Sequence, residues 1–138
     1  MAKVRGVSAN VEMCVWAGVA RIWTRVWSPR EAMRSSAVLA KILQRAVARS
    51  HREPAGEVCA RGEALAWRWV SVLGGDCYDR ALAMRWWCAT RGVELSCVIG
   101  VRRGGTGAIE GHAWVCDRAR EEIYLMEEGA GYREVARG

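Results

Sequence analysis

Hydrophobic residues in the first half of the chain recur every three or four positions, which is the spacing of one face of an α-helix. This spacing predicts one helix over residues 8–27 and a second over residues 28–50. Ser28 and Glu31 are placed to form a capping box at the start of the second helix. The remaining elements predicted for this half are a loop over residues 50–62 and a helix over residues 63–73.

The pattern changes in the second half of the chain. Residues 77–92 again have helical spacing, whereas apolar and polar residues alternate over residues 93–101, which is the period of a β-strand. Two further strands are predicted over residues 109–116 and 123–126. The order of these elements predicts an α+β fold, in which a helical N-terminal half packs on a small antiparallel sheet.

Composition is that of a globular protein, with 138 residues, 51% of them hydrophobic and 26% charged. We predict a single domain over residues 1–138, with a helical part at 1–76 and a helix-plus-sheet part at 77–138. The formal net charge is +6, and all of the excess lies in the first part, which carries 12 basic and 6 acidic residues. These basic residues are scattered around helices and no helix-turn-helix or zinc-finger pattern appears, so we predict no nucleic-acid partner.

The six cysteines form no CxxC pair and no Cys/His cluster with the spacing of a zinc site. No metal and no other cofactor is therefore expected. The longest apolar run near the N-terminus, residues 13–20, is too short for a membrane span or a signal peptide. These features predict a cytoplasmic protein with reduced thiols and no membrane contact.

Cys77 and His112 are the residues best suited to chemistry. Cys77 follows a Gly-Gly-Asp loop at a predicted helix start, where free N–H groups and the helix dipole stabilise a thiolate and could hold an oxyanion. His112 lies in a predicted strand and can act as base and proton donor if it faces that helix end. Trp114 shares its strand face and could form a wall of the cleft. The competing interpretation is that both residues belong to the core.

Four runs in the second half carry a family resemblance: Gly75-Asp76-Cys77-Tyr78-Asp79-Arg80-Ala81, Arg91-Gly92-Val93-Glu94-Leu95, Val98-Ile99-Gly100-Val101-Arg102 and Gly111-His112-Ala113-Trp114-Val115. In this order they resemble the leader peptidase of lasso-peptide biosynthesis. That family is transglutaminase-like, with a core related to papain-like cysteine proteases. The resemblance covers residues 63–128 and implies the same fold for this chain.

The resemblance also implies an activity, the removal of the leader from a ribosomally made precursor peptide. Cys77 would attack the carbonyl of the last leader residue, and His112 would protonate the departing amine. Water would then release the acyl-enzyme. Thiol and imidazole suffice for this chemistry, so the resemblance implies no cofactor.

The third catalytic residue of this family is usually an Asp on the strand after the histidine strand, but no Asp follows Asp117 here. Antiparallel pairing across a turn after Asp117 would bring residues 126 and 127 opposite His112. This pairing favours Glu127, with Glu128 one position away. Asp117 is the other candidate, although it would lie about 16 Å from His112 on an extended strand.

The partners that the resemblance implies are the leader region of a precursor peptide, a separate leader-recognition protein and, downstream, a lasso cyclase. The chain is too short to carry the recognition domain that is fused to the peptidase in longer family members. Three alternatives remain open: acyl transfer to an amine instead of water, nucleic-acid binding by the basic half, and an inactive scaffold for the recognition protein.

Overall fold

The computed structural model describes residues 2–47, 53–126 and 131–138. Within them the helices are α1 (Ala2–Val26), α2 (Pro29–Val47), α3 (Ala55–Val72) and α4 (Cys77–Ala89). The strands are β1 (Ser96–Arg103), β2 (Ile109–Asp117), β3 (Glu122–Tyr124) and β4 (Arg133–Arg137). The predicted α+β class is confirmed.

The strands form one antiparallel sheet in the order β3-β2-β1-β4. β1 and β2 pair along their whole length, and Gly100 lies opposite His112. A side chain at Gly100 is excluded, because a Cβ there would lie 2.5 Å from the ring of Trp114. Since opposite residues of an antiparallel pair project to the same side, this register puts His112 and Trp114 on one face and Ala113 on the other.

α4 is the central helix of the molecule and is buried on nearly every side. It packs against α1, α2 and α3 and also lies on β2. The ring centroid of Trp86 is 5.6 Å from that of Trp16 and 5.2 Å from that of Trp23, and its indole N–H donates to the Ser36 carbonyl at 3.2 Å. The helical half of the chain therefore meets the sheet through α4.

α1 begins earlier than predicted, at Ala2 instead of residue 8. Its buried side presents small and flexible apolar residues, Met13, Ala17 and Ala20. Among residues 9–26, whose side chains are described, the large exposed apolar residues are Val11, Val15, Ile22 and Val26. None of the described helices is both long enough and apolar enough to cross a membrane.

The start of α3 is where the helices differ most from the prediction. The loop predicted over residues 50–62 is wrong from Ala55 onward, where α3 begins, and residues 50–52 lie outside the described residues. Gly62 is not a loop residue: it lies inside α3, and a Cβ there would be 3.1 Å from the ring of Trp87. The glycine is needed for close packing between helices, which helical periodicity does not reveal.

Strand β4 was not predicted. It has five residues, mostly exposed, and pairs with β1 through an irregular register between Ile99 and Gly100.

The capping box predicted for α2 is present: the Glu31 N–H donates to the Ser28 hydroxyl, and the Ser28 N–H donates to the Glu31 carboxylate, both at 3.4 Å. Local capping chemistry was therefore easier to predict than a short edge strand.

Candidate active site

Cys77 is the first residue of α4, and Asp76 caps this helix. The Asp76 carboxylate accepts hydrogen bonds from the N–H groups of Tyr78 and Asp79, at 3.0 and 3.1 Å. The Asp79 carboxylate accepts from the Asp76 N–H at 3.1 Å and from the Thr24 hydroxyl of α1 at 2.6 Å. The expectation of free N–H groups at this helix start is thus wrong for Tyr78 and Asp79, whose amides are occupied.

The first two residues of α4 contact β2 on either side of His112. The Cys77 sulfur lies against the N–H of Ala113. The Tyr78 hydroxyl lies beside Gly111, where a Cβ would be 3.1 Å from the phenol oxygen. Gly111 therefore lets the aromatic ring approach the strand closely, and the thiol comes to the backbone next to His112.

The environment of Cys77 favours the protonated thiol. Burial raises the pKa of this group above its usual value, and the negative charge of Asp76 raises it further. The N–H contact from Ala113 and the positive charge of Arg80 act in the opposite direction but do not outweigh burial. The resting thiol is therefore neutral, and it would need a base to remove its proton before it could act as a nucleophile.

His112 is buried on β2, and its ring stacks on Tyr132 and Trp114 with centroid separations of 5.0 and 6.1 Å. Its Nε2 lies 2.8 Å from the carbonyl oxygen of Leu125. Because a carbonyl oxygen only accepts, Nε2 carries the ring proton and Nδ1 is the basic nitrogen of the neutral imidazole. Although both residues are described, His112 and Cys77 share no hydrogen bond, so the sulfur meets the strand backbone and not the imidazole.

Asp117, one of the candidates for the third residue, has its own partners at the far end of β2. Its carboxylate accepts from the Ala119 N–H at 3.1 Å and pairs with Arg120 at 3.8 Å. Strand alternation also puts its side chain on the opposite face from His112. The structure does not bring Asp117 to the imidazole.

The other candidates, Glu127 and Glu128, lie outside the described residues. The residue numbers of each β2–β3 pair add to 239, which would place residue 127 opposite His112 if the ladder continued. The strand ends at Tyr124, however, and Leu125 has a φ of 66°, in the left-handed region. The chain thus leaves the sheet just before the position that the register assigns to Glu127.

Glu63 of α3 is a site residue that no sequence signal indicated. Its carboxylate accepts a hydrogen bond from the N–H of Leu125 at 2.6 Å, while the carbonyl of Leu125 faces His112. Leu125 is 1% exposed and Glu63 is half-buried, so this contact lies at the edge of the core. Glu63 and Leu125 are 62 residues apart, and no local pattern reveals such a contact.

Neither a metal cluster nor a disulfide occurs in the described part of the chain. No group of three or more His, Cys, Asp or Glu side chains there could hold a metal ion. All six cysteines are free; Cys59, Cys88, Cys97 and Cys116 are buried, while Cys14 and Cys77 are half-buried. The groups described at this site are therefore a thiol, an imidazole, a carboxylate and backbone amides.

Comparison with known proteins identifies the family to which the chain belongs. A family model for the transglutaminase-like superfamily matches residues 14–135, a span that reaches from α1 into β4 and includes Cys77 and His112. The chain belongs to the transglutaminase-like superfamily. No curated protein and no solved structure matches it. Members of this superfamily are commonly cysteine-dependent enzymes, and the arrangement of α4 on an antiparallel sheet is consistent with a transglutaminase-like core.

Proposed function

We propose that this transglutaminase-like protein is a cysteine peptidase that removes the leader from a ribosomally synthesised lasso-peptide precursor. The observation that carries the proposal is the position of Cys77, at the capped start of a buried helix with its sulfur against the amide that follows His112. Membership of the superfamily supports a cysteine-dependent enzyme. The motif resemblance around Cys77 and His112 supports a leader peptide as the substrate.

In the proposed reaction His112 acts as a general base, because the raised pKa of Cys77 keeps the thiol neutral at rest. Nδ1 of His112 takes the proton as the Cys77 sulfur bonds to the carbonyl carbon of the last leader residue. The imidazolium then gives this proton to the amine of the core peptide as the C–N bond breaks. A water molecule, deprotonated by His112, attacks the thioester, which releases the leader as a carboxylic acid and restores the thiol.

These steps require that the imidazole reaches the thiol and that a backbone amide binds the oxyanion. Catalytic hydrogen bonds often form fully only when substrate is bound, so the imidazole and the thiol are expected to approach each other in the complex. The oxyanion is expected to face the Cys77 amide, since the Asp76 carboxylate occupies the next two amides of the helix. The Leu125 carbonyl keeps the proton on Nε2 and leaves Nδ1 as the ring nitrogen that can accept the thiol proton.

We also propose the partners that the resemblance implies: the leader region of a precursor peptide, a separate leader-recognition protein, and a lasso cyclase that receives the freed amine. The surface of the helical half supports a docking role. α1 exposes a stripe of apolar residues, which are Val11, Val15, Ile22 and Val26. The next helix in the chain, α2, exposes basic residues, which are Arg30, Arg34, Lys41 and Arg45.

The proposal is tested by Cys77→Ala and His112→Gln. The purified chain is incubated with a lasso-peptide precursor and its leader-recognition protein, and the free leader is measured by mass spectrometry. Each variant is expected to lower the rate of leader release by about a thousandfold or more, because nucleophile and base act as a unit. Cys14→Ala, which removes another half-buried thiol, is expected to leave the rate unchanged.

Unchanged leader release by Cys77→Ala would sink the peptidase proposal and leave a scaffold role. Addition of glycinamide to the wild-type reaction separates hydrolysis from acyl transfer. Hydrolysis gives the leader acid as the main product, whereas a predominant glycinamide adduct would favour the acyl-transferase alternative.

The third catalytic residue is tested separately by Glu127→Gln and Asp117→Asn. We expect Glu127→Gln to lower the rate of leader release, because the resemblance implies an acidic residue after the histidine strand, and Asp117→Asn to leave it within about twofold, since Asp117 bonds elsewhere. Loss of activity only in Asp117→Asn would contradict this choice. Full activity in both variants would leave the Leu125 carbonyl as the group that orients His112.

A further inference from the structure

A cavity of about 410 Å³ lies between the helices and the sheet, beside the nucleophile. Its walls are the end of α1, the start of α2 and the first turns of α4. Asp76 and Tyr78, the residues on either side of Cys77, line it, and so does Ala113, whose N–H contacts the Cys77 sulfur. A cavity of this size is in the range that holds ligands, and the residues before and after Cys77 line it although Cys77 itself does not.

The cavity wall carries two carboxylates and two guanidinium groups, and only the carboxylates have hydrogen-bond partners among the described residues. The two carboxylates on its wall, Asp76 and Asp79, are engaged in the capping bonds at the start of α4 and in the bond from Thr24. The two guanidinium groups on its wall, Arg21 and Arg25, form no ion pair or hydrogen bond with any described residue. Arginine stays charged at any physiological pH and binds a carboxylate through two parallel hydrogen bonds.

The remaining wall is apolar and suits the carbon stem of a side chain. Met33, Leu82, Ile99 and Ala113 contribute to it. The cavity thus combines an apolar surface with two unpaired cations. This combination matches the side chain of glutamate, which has a methylene stem and a terminal carboxylate, better than a neutral or basic side chain.

We propose that this cavity is a specificity site that receives an acidic side chain of the peptide substrate, and that Arg21 and Arg25 pair with its carboxylate. Residues of an extended peptide are about 3.3 Å apart, so the acidic residue would lie within about two positions of the scissile bond. The inference rests on the proposed function, because it assigns the cavity to the peptide that Cys77 cleaves. Its first test does not depend on peptide cleavage.

The first test compares the alkylation of Cys77 by iodoacetate, which is anionic, and by iodoacetamide, which is neutral and of similar size. The rates are measured at Cys77 by peptide mapping with mass spectrometry, because five other cysteines are present. Relative to free N-acetylcysteine, wild-type protein is expected to favour iodoacetate over iodoacetamide by about fivefold. The double variant Arg21→Gln/Arg25→Gln is expected to lose this preference.

Two further variants serve as controls for the alkylation test. Arg34→Gln removes an exposed arginine of α2 that does not line the cavity and is expected to keep the preference for iodoacetate. Arg21→Lys keeps the positive charge at this position and is expected to retain most of the preference for iodoacetate. The proposal is overturned if the double variant and wild type show the same ratio of rates, or if neither reagent reaches Cys77 from solution.

The second test uses quenched-fluorescent octapeptide pools, each with one position fixed as Glu or Gln. Wild-type protein is expected to prefer Glu at one position near the cleaved bond by about fivefold, and the double variant to cleave both pools equally. An equal Glu preference in both proteins would contradict the inference. Absence of cleavage in every pool, together with an intact preference for iodoacetate, would instead count against the peptidase and leave the anion-binding cavity.

Discussion

The imidazole of His112 is held through the carbonyl of Leu125, and Leu125 is in turn held by the carboxylate of Glu63 on α3. Leu125 adopts a left-handed φ of 66°, which costs a leucine conformational energy of about 1 kcal/mol or more. The hydrogen bond to Glu63 offsets part of this cost. The Glu63 carboxylate is therefore a positioning group for the imidazole, although it does not touch the ring.

We predict that Glu63→Leu changes the tautomer of His112. Without its carboxylate partner Leu125 is expected to relax, so that its carbonyl no longer holds the proton on Nε2. The measurement is the pair of ¹⁵N chemical shifts of the imidazole, recorded in a His51→Gln background that leaves one histidine. The Nε2–H form should dominate in the parent protein, and both tautomers should be populated in Glu63→Leu.

Glu57→Leu provides the matched control for this prediction, because Glu57 lies on the same helix with an exposed side chain. It should leave the ¹⁵N shifts as they are in the parent. A purely structural role of Glu63 would lower the melting temperature without changing the tautomer, and that result would contradict the positioning role.

At the scale of elements, two helices begin with the same kind of capping box in different surroundings. At α2, Ser28 and Glu31 form an exposed box. At α4, Asp76 and Asp79 form a box in which Asp79 is 4% exposed and also accepts the bond from Thr24. The second box therefore links the helix that begins at Cys77 to α1 as well as capping it.

We predict that Asp79→Ala lowers the free energy of unfolding by about 2 kcal/mol, since it leaves the Thr24 hydroxyl and the Asp76 N–H without their acceptor. Glu31→Ala at the exposed box should cost about 0.5 kcal/mol. Urea denaturation followed by circular dichroism measures both. Equal costs for the two variants would show that the bond between α1 and α4 contributes nothing.

At the scale of the whole molecule, α4 joins the helical half to the sheet, and Trp86 lies at this junction. Its ring packs on Trp16 and Trp23 of α1, and its N–H binds a carbonyl of α2. Because both halves share these contacts, residues 1–76 and 77–138 are expected to unfold together. The single domain over residues 1–138 therefore remains a prediction, and an unfolding experiment tests it directly.

We predict one cooperative transition in urea, with coincident midpoints by tryptophan fluorescence and circular dichroism. Trp86→Ala should lower the free energy of unfolding by about 4 kcal/mol without separating the two midpoints. Trp67→Ala, at a ring that is 37% exposed, should cost about 1 kcal/mol or less. Two separated transitions in the wild-type protein would show that the halves are independent domains.

The fold was predictable to the extent that local pattern decides it. Helical spacing and capping residues correctly indicated α2 and α4, and alternation indicated β1 and β2. The start of α3 was mispredicted because Pro54 and Gly56 indicated a loop, whereas Pro54 directly precedes α3 and Gly56 lies inside it. Gly62 was included in that loop although packing against Trp87 requires it within the helix. Strand β4 was missed because a short exposed strand carries little pattern of its own.

The sequence by itself determined the class of fold and singled out Cys77 and His112, since a helix start, a strand and a motif are all local in the chain. Only the tertiary structure decided what surrounds them. It placed the thiol against the amide of Ala113, turned Nε2 of His112 to the Leu125 carbonyl and brought Glu63 to Leu125. These contacts join segments far apart in the chain, where the packing of α3 and α4 against the sheet, and not any spacing of residues, sets the distances.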